Sequence, residues 1–75
     1  VWKRPLQGGD VALALLNRGD EKVKITARWR HIGLEGRWAV RDLWAHENLG
    51  TRSGRITRTV RPHETVMLRL SPAGR

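Results

Sequence analysis

The architecture of this chain is clearest in Val23-Lys24-Ile25-Thr26-Ala27-Arg28-Trp29, where apolar and polar side chains alternate. Successive side chains of a β-strand point to opposite faces, so the apolar set would share one face and the polar set the other. The same period of two recurs in Val66–Leu70 and in Trp38–Val40. These alternations predict strands that are half buried and half exposed to water.

Turn-forming residues separate these segments at short intervals. No segment between the turns offers the length, periodicity and caps of a helix. Frequent turns between short apolar segments are typical of a sandwich or a barrel. The turn signals are Gly8-Gly9-Asp10, Asn17-Arg18-Gly19-Asp20, Gly33–Gly36, Asn48-Leu49-Gly50, Ser53-Gly54 and Pro62-His63-Glu64.

Three further segments complete the predicted set of strands. Val11–Leu16 is apolar on both faces and is expected to be a central strand. Val1–Leu6 and Arg55–Val60 are weaker candidates, and Pro5 places the first of them at an edge. All connections are too short for helical crossovers, so neighbouring strands must be antiparallel. We predict an all-β chain, a single domain over residues 1–75 that forms a small antiparallel β-sandwich of about six to eight strands, Greek-key-like.

The four tryptophans are expected to fill the core of this sandwich. Trp29 and Trp38 lie in phase with aliphatic neighbours, which favours burial over stacking on a sugar ring. Trp2 and Trp44 lie near strand ends, where they are candidates for contact with a neighbouring domain. The chain is so small that we expect marginal stability in isolation, and such contact would bury more surface.

A net charge of +8 makes a basic nucleic-acid-binding β-domain one alternative function. β-Type nucleic-acid binders interleave cations with exposed aromatic side chains. This chain has no Phe and no Tyr, and its cations are spread along several strands. We therefore expect a solvated charged surface, with nucleic acid a less favoured partner.

The sequence offers little for catalysis or for binding a metal. It has no cysteine, so it has no disulfide and no thiolate ligand, and its compartment, secreted or cytoplasmic, stays open. His31, His46 and His63 match no ligand motif, and most acidic residues lie beside turns. We predict no catalytic residue, no metal and no cofactor. The longest apolar run, Val11–Leu16, is far too short to span a membrane.

Asp42 is unusual among the acidic residues because it interrupts the alternation between Val40 and Leu43-Trp44. A bulge or turn is expected there. Its carboxylate would accept hydrogen bonds from backbone N–H groups or from arginine and so hold a structural corner. We favour this role over catalysis.

Arg18-Gly19-Asp20 spells a tripeptide that integrins bind. The neighbouring residues instead favour a hairpin connection, with Asn17 and Gly19 adopting positive φ.

Three segments carry further motifs. In the first, Val1–Leu6 and Gly9–Gly19, a tryptophan and a Pro-Leu pair precede an apolar strand ending in Asn-Arg-Gly. The second is Val40–His46 with a trailing Leu49-Gly50. The third is Val60–Leu70, with His63 before the last strand. Taken in this order and spacing, the three segments resemble the C-terminal domain of family 27 α-galactosidases.

This resemblance implies a parent whose N-terminal (β/α)₈ barrel cleaves terminal α-galactosides with retention, using two aspartates. Such a barrel takes about 250 residues, so neither aspartate maps onto this chain. The chain would be a non-catalytic accessory domain that contacts and stabilises the barrel, and a homo-oligomer formed through the parent is a further candidate partner. Related barrels act on α-N-acetylgalactosaminides or β-arabinopyranosides, which leaves the substrate open.

A carbohydrate-binding module, in which exposed tryptophans would stack on sugar rings, is the alternative of a different class.

The opening Val1-Trp2-Lys3 has neither an initiator methionine nor the features of a signal peptide, which is expected of a segment from a longer chain.

Overall fold

The computed structural model describes residues 1–73, and within them the prediction of an all-β antiparallel chain of six to eight strands is confirmed. No helix among these residues has the length and apolar character needed to cross a membrane. Short 3₁₀ turns occur at Gln7–Gly9 and Trp29–His31. The described residues form seven strands: β1 (Trp2–Pro5), β2 (Val11–Leu16), β3 (Val23–Arg28), β4 (Arg37–Asp42), β5 (Glu47–Ser53), β6 (Arg55–Val60) and β7 (Thr65–Pro72).

The strands form two sheets that pack face to face. The larger sheet has the order β1-β2-β7-β4-β5, and the smaller sheet pairs β3 with β6. All of these pairings are antiparallel. The last strand returns to lie between β2 and β4, which makes neighbours of strands far apart in sequence, as in Greek-key arrangements.

The core lies between the sheets and is mainly aliphatic. In the central pair β2–β7, Leu13 lies opposite Leu68 and Val11 opposite Leu70. The smaller sheet contributes apolar side chains such as Val60 to the same cluster. These two apolar pairs follow the alternation of their strands, because one face of each strand is covered by the opposite sheet.

The prediction that four tryptophans fill the core is wrong for two of them. Trp29 is 2% exposed and belongs to the core, and the half-buried Trp38 packs against it. Trp2 is 47% exposed because it lies on the outward face of edge strand β1, opposite Ala14. Trp44 is 74% exposed because it lies in the turn between β4 and β5.

The predicted turn at Asn48-Leu49-Gly50 is also misplaced. These residues lie inside β5, an edge strand that pairs only with β4. The turn occurs earlier, before Glu47, and includes His46 at φ +54°. β5 lacks a clear apolar alternation because most of its side chains are exposed. Because β5 has no buried face, the alternation of its side chains could not identify it as a strand.

The predicted hairpin at Asn17-Arg18-Gly19-Asp20 is wrong as well. β2 and β3 belong to different sheets, so this segment is a connection across the sandwich. Neither Asn17 nor Gly19 adopts positive φ. The Asn17 side chain is instead buried, and its Nδ2 donates to the carbonyl oxygens of Glu21 at 2.7 Å and Val60 at 3.0 Å. Its Oδ1 accepts from the Gly19 N–H at 2.9 Å, so the asparagine ties the end of β2 to the end of β6.

Candidate functional site

The largest apolar side chains left exposed on this small domain, Trp2 and Trp44, lie at one end of the sandwich. Leu16 lies opposite Thr65 on the neighbouring strand, close to the pair formed by Trp2 and Ala14. A surface cleft of about 600 Å³ is lined by Val1, Trp2, Leu16 and Thr65, among others. The outward face of β1–β2 thus ends in an apolar surface beside Thr65.

Trp44 approaches the same end from the other side of Thr65. A second cleft, of about 470 Å³, is lined by Trp44, Arg58 and Thr65, among others. Thr65 lines both clefts, so Trp2 and Trp44 both lie near the start of β7. They do so although β1 and β4 are not neighbours in the larger sheet. We call Val1, Trp2, Leu16 and Trp44 the tryptophan patch.

Asp42 fixes the turn that carries Trp44. Its Oδ1 accepts hydrogen bonds from the backbone N–H groups of Trp44 and Ala45, both at 3.0 Å. Its Oδ2 lies 3.5 Å from Nη2 of Arg58, which belongs to the other sheet. The Asp42 residue is only 6% exposed, and β4 has a register shift between Val40 and Arg41 just before it. The irregular strand thus ends on a buried carboxylate that contacts both sheets.

The acidic side chains show no arrangement for acid–base chemistry. Asp42 and Asp10 contact arginines, the latter through Arg69 at 2.8 Å. Asp20 meets His63 at 2.9 Å on the exposed surface. Among residues 1–73 no group of three or more His, Cys, Asp or Glu side chains could hold a metal ion.

Sequence reasoning singled out Trp2, Trp44 and Asp42, and the structure brings all three to one end of the domain. It missed Leu16, which was assigned to a strand buried on both faces but is 39% exposed. The sequence does not show that β1 is too short to reach the end of β2. The pairing of β1 stops at Ala14, so the outward side chain of Leu16 stays uncovered.

The fold is that of a small antiparallel β-sandwich domain with exposed apolar side chains at one end. The family described as alpha galactosidase C-terminal beta sandwich domain matches residues 1–70. The chain belongs to this family. It corresponds to the non-catalytic C-terminal domain of α-galactosidase relatives, which confirms the resemblance seen in the sequence.

An α-galactosidase of Coffea arabica is 43% identical over 74 residues, which are 96% of this chain and 20% of that protein. The chain thus spans about a fifth of the length of this relative. A GH27 β-L-arabinopyranosidase of Geobacillus stearothermophilus superposes with a TM-score of 0.91 at 26% identity, over 97% of this chain and 17% of its own. α-Galactosidase I of Mortierella vinacea gives a TM-score of 0.84 at 32% identity, over 91% and 19%.

Proposed function

We propose that this chain is an accessory domain that docks through the tryptophan patch onto a catalytic (β/α)₈ barrel in the same parent protein. The parent would hydrolyse terminal α-galactosides with retention, and the two carboxylates needed for this reaction would lie in the barrel. Family membership supports the class of parent. The exposure of Trp2 and Trp44 supports the position of the docking surface.

The observation that carries the proposal is the joint exposure of Trp2 and Trp44 at one end of the domain, 47% and 74%. Large aromatic side chains bury 150–250 Å² each, about as much as any residue can offer an interface. Clustered exposed apolar side chains mark association surfaces, whereas single ones need no explanation. Two tryptophans beside Leu16 and Thr65 meet the first description.

The small size of the domain explains what docking would achieve. A chain this short buries a modest share of its surface on folding, so its own stability is marginal. Covering Trp2 and Trp44 adds apolar burial without any change to the core. The proposed role is therefore mutual stabilisation of the sandwich and the barrel.

The test compares the 75-residue chain with the natural full-length protein that contains it. Trp2→Ala and Trp44→Ala remove exposed side chains, so the isolated chain should lose under about 1 kcal/mol of stability. In the full-length protein the same changes would remove interface anchors, and each should cost about 2 kcal/mol of interdomain stability. Calorimetry and limited proteolysis at the domain junction measure this difference.

Val23→Ala is the matched control, because Val23 is 43% exposed but lines neither cleft of the patch. It should leave the junction as resistant to protease as the wild type. If the Trp2→Ala/Trp44→Ala double variant behaves like this control, the patch does not dock. Titration of the isolated chain with galactose tests the alternative of a sugar-binding module. Saturable heat that Trp44→Ala abolishes would favour the module over docking.

A further inference from the structure

A cleft at the opposite end of the sandwich has a different chemical character. β3 ends at Arg28 and β6 begins at Arg55, and these two residues lie directly opposite each other. The other end of this strand pair holds Val60, whose carbonyl oxygen accepts from Asn17 near the tryptophan patch. The cleft has a volume of about 680 Å³ and is lined by Arg28, Arg30 and Arg55, among others. This volume lies within the 300–1,000 Å³ range of small-ligand sites.

The three arginines of this cleft lack protein counter-ions. None of them makes an ion pair or a side-chain hydrogen bond to any of residues 1–73. Arg69 differs, since it pairs with Asp10. Glu35 is the one acidic residue among those lining the cleft. Three guanidinium groups therefore face one carboxylate, and their positive charge is left for an external anion to neutralise.

Trp29 lies beside this cleft and can report on what binds there. It lines the cleft but is only 2% exposed and belongs to the core, and its indole Nε1 is buried without a hydrogen-bond partner within the described part of the chain. Its backbone N–H donates to the Gly54 carbonyl at 2.8 Å, and its carbonyl accepts from the Leu34 N–H at 2.9 Å. An anion held by the arginines would therefore change the surroundings of a buried indole that it does not touch.

We propose that this cleft binds an oxyanion, a phosphate, sulfate or carboxylate group, on the guanidinium groups of Arg28, Arg30 and Arg55. The planar guanidinium matches two oxygens of such a group and stays charged at any ordinary pH. The register of β3 with β6 places two of these three charges directly opposite each other. This inference is independent of the docking proposal, because the cleft lies at the end that docking through the tryptophan patch leaves uncovered.

The experiment follows the indole N–H signals of the ¹⁵N-tryptophan-labelled chain by nuclear magnetic resonance. The chain is titrated separately with inorganic phosphate, galacturonate and neutral galactose, with chloride holding the ionic strength constant. Trp29 should show a saturable shift with an anion, while Trp2 and Trp44 keep their positions. A stronger response to phosphate identifies a tetrahedral ligand, and a stronger response to galacturonate identifies an acidic sugar.

The arginine variants separate a built site from general attraction to a basic protein. Arg30→Gln and Arg55→Gln should each weaken binding about tenfold, since each removes charge-assisted hydrogen bonds. Both residues are exposed, so the fold should survive. Arg4→Gln removes the same charge from edge strand β1 and should change the affinity less than about twofold. Equal losses in all three variants, no Trp29 shift with either anion, or an equal shift with galactose would each overturn the proposal.

Discussion

Replacing Asp42 with alanine tests whether one buried carboxylate holds the corner of this sandwich. The change removes the acceptor of two backbone N–H groups, those of Trp44 and Ala45, both at 3.0 Å. It also leaves Arg58 without its anion, while Nε of that arginine is already buried without a partner among the described residues. The variant should fold less stably because these groups lose their partner and gain none.

The size of the effect follows from these contacts. A hydrogen bond to a charged group contributes about 1.5–3 kcal/mol, but both N–H groups lie in a turn where water can partly replace the carboxylate. The contact with Arg58 adds little, because it is 3.5 Å long and the arginine side chain is 33% exposed. We therefore expect a loss of about 2–3 kcal/mol. For a domain of this size such a loss lowers the Tm by roughly 10–20 °C.

Thermal unfolding followed by circular dichroism measures this loss. Asp42→Asn keeps the size of the side chain and an oxygen for the two N–H groups but removes the charge, so it should fall between wild type and alanine. Asp20→Ala is the matched control, since that side chain is 95% exposed and contacts only His63. Its effect should be under about 0.5 kcal/mol. A Tm for Asp42→Ala as close to wild type as that of this control would refute the corner role.

Four other substitutions test the inter-sheet connection, the core with a surface comparison, and a strained turn. Asn17→Ala removes three hydrogen bonds, one of them buried and two part-buried, and should lower the urea midpoint by the equivalent of about 2–4 kcal/mol; an unchanged midpoint would contradict the anchoring role. Leu68→Ala, at a fully buried position, should cost about 3–4 kcal/mol, whereas Leu16→Ala on the surface should cost under about 1 kcal/mol. Gly54→Ala should cost about 1–2 kcal/mol by chemical denaturation, because φ is +77° although no atom lies within 4 Å of an added Cβ. A larger loss would mean that a clash adds to the strain.

Three of the strands that pattern analysis found, β3, β4 and β7, have one face covered by the opposite sheet. Apolar residues of β3, β4 and β7 alternate because the opposite sheet excludes water from one side only. β5 was not predicted because it is an edge strand with almost no buried side chain. Its sequence therefore does not have to alternate between apolar and polar residues. The role of Asn17 was not predicted for a related reason. An asparagine after a strand has the local signature of a turn, while its burial depends on Val60, 43 residues away.

The candidate sites also differ in whether their contacts are local in the sequence. Asp42 was identifiable because its contacts with Trp44 and Ala45 are two and three residues away, and a polar residue within an apolar run is a local signal. The arginine cleft was not identifiable. Arg28 and Arg55 are adjacent only through the register of β3 with β6, and a sequence rich in arginine gives no reason to choose this pair. Charge clusters formed by strand pairing need the register before they can be recognised.

Asp42 contributes to the stability of the sandwich and also contacts the turn that carries Trp44, a residue of the proposed docking surface. The same oxygen that holds the corner bonds the backbone of Trp44, so the exposed indole extends from a turn that is fixed rather than free. A side chain fixed before contact loses less conformational freedom on binding, which favours association. Asp42→Ala should therefore weaken docking more than Leu68→Ala does, under conditions in which both variants are still folded. Only the Asp42 change removes the hydrogen bond that holds the backbone of Trp44. The polar corner thus lets a domain with a small aliphatic core place a tryptophan outside that core.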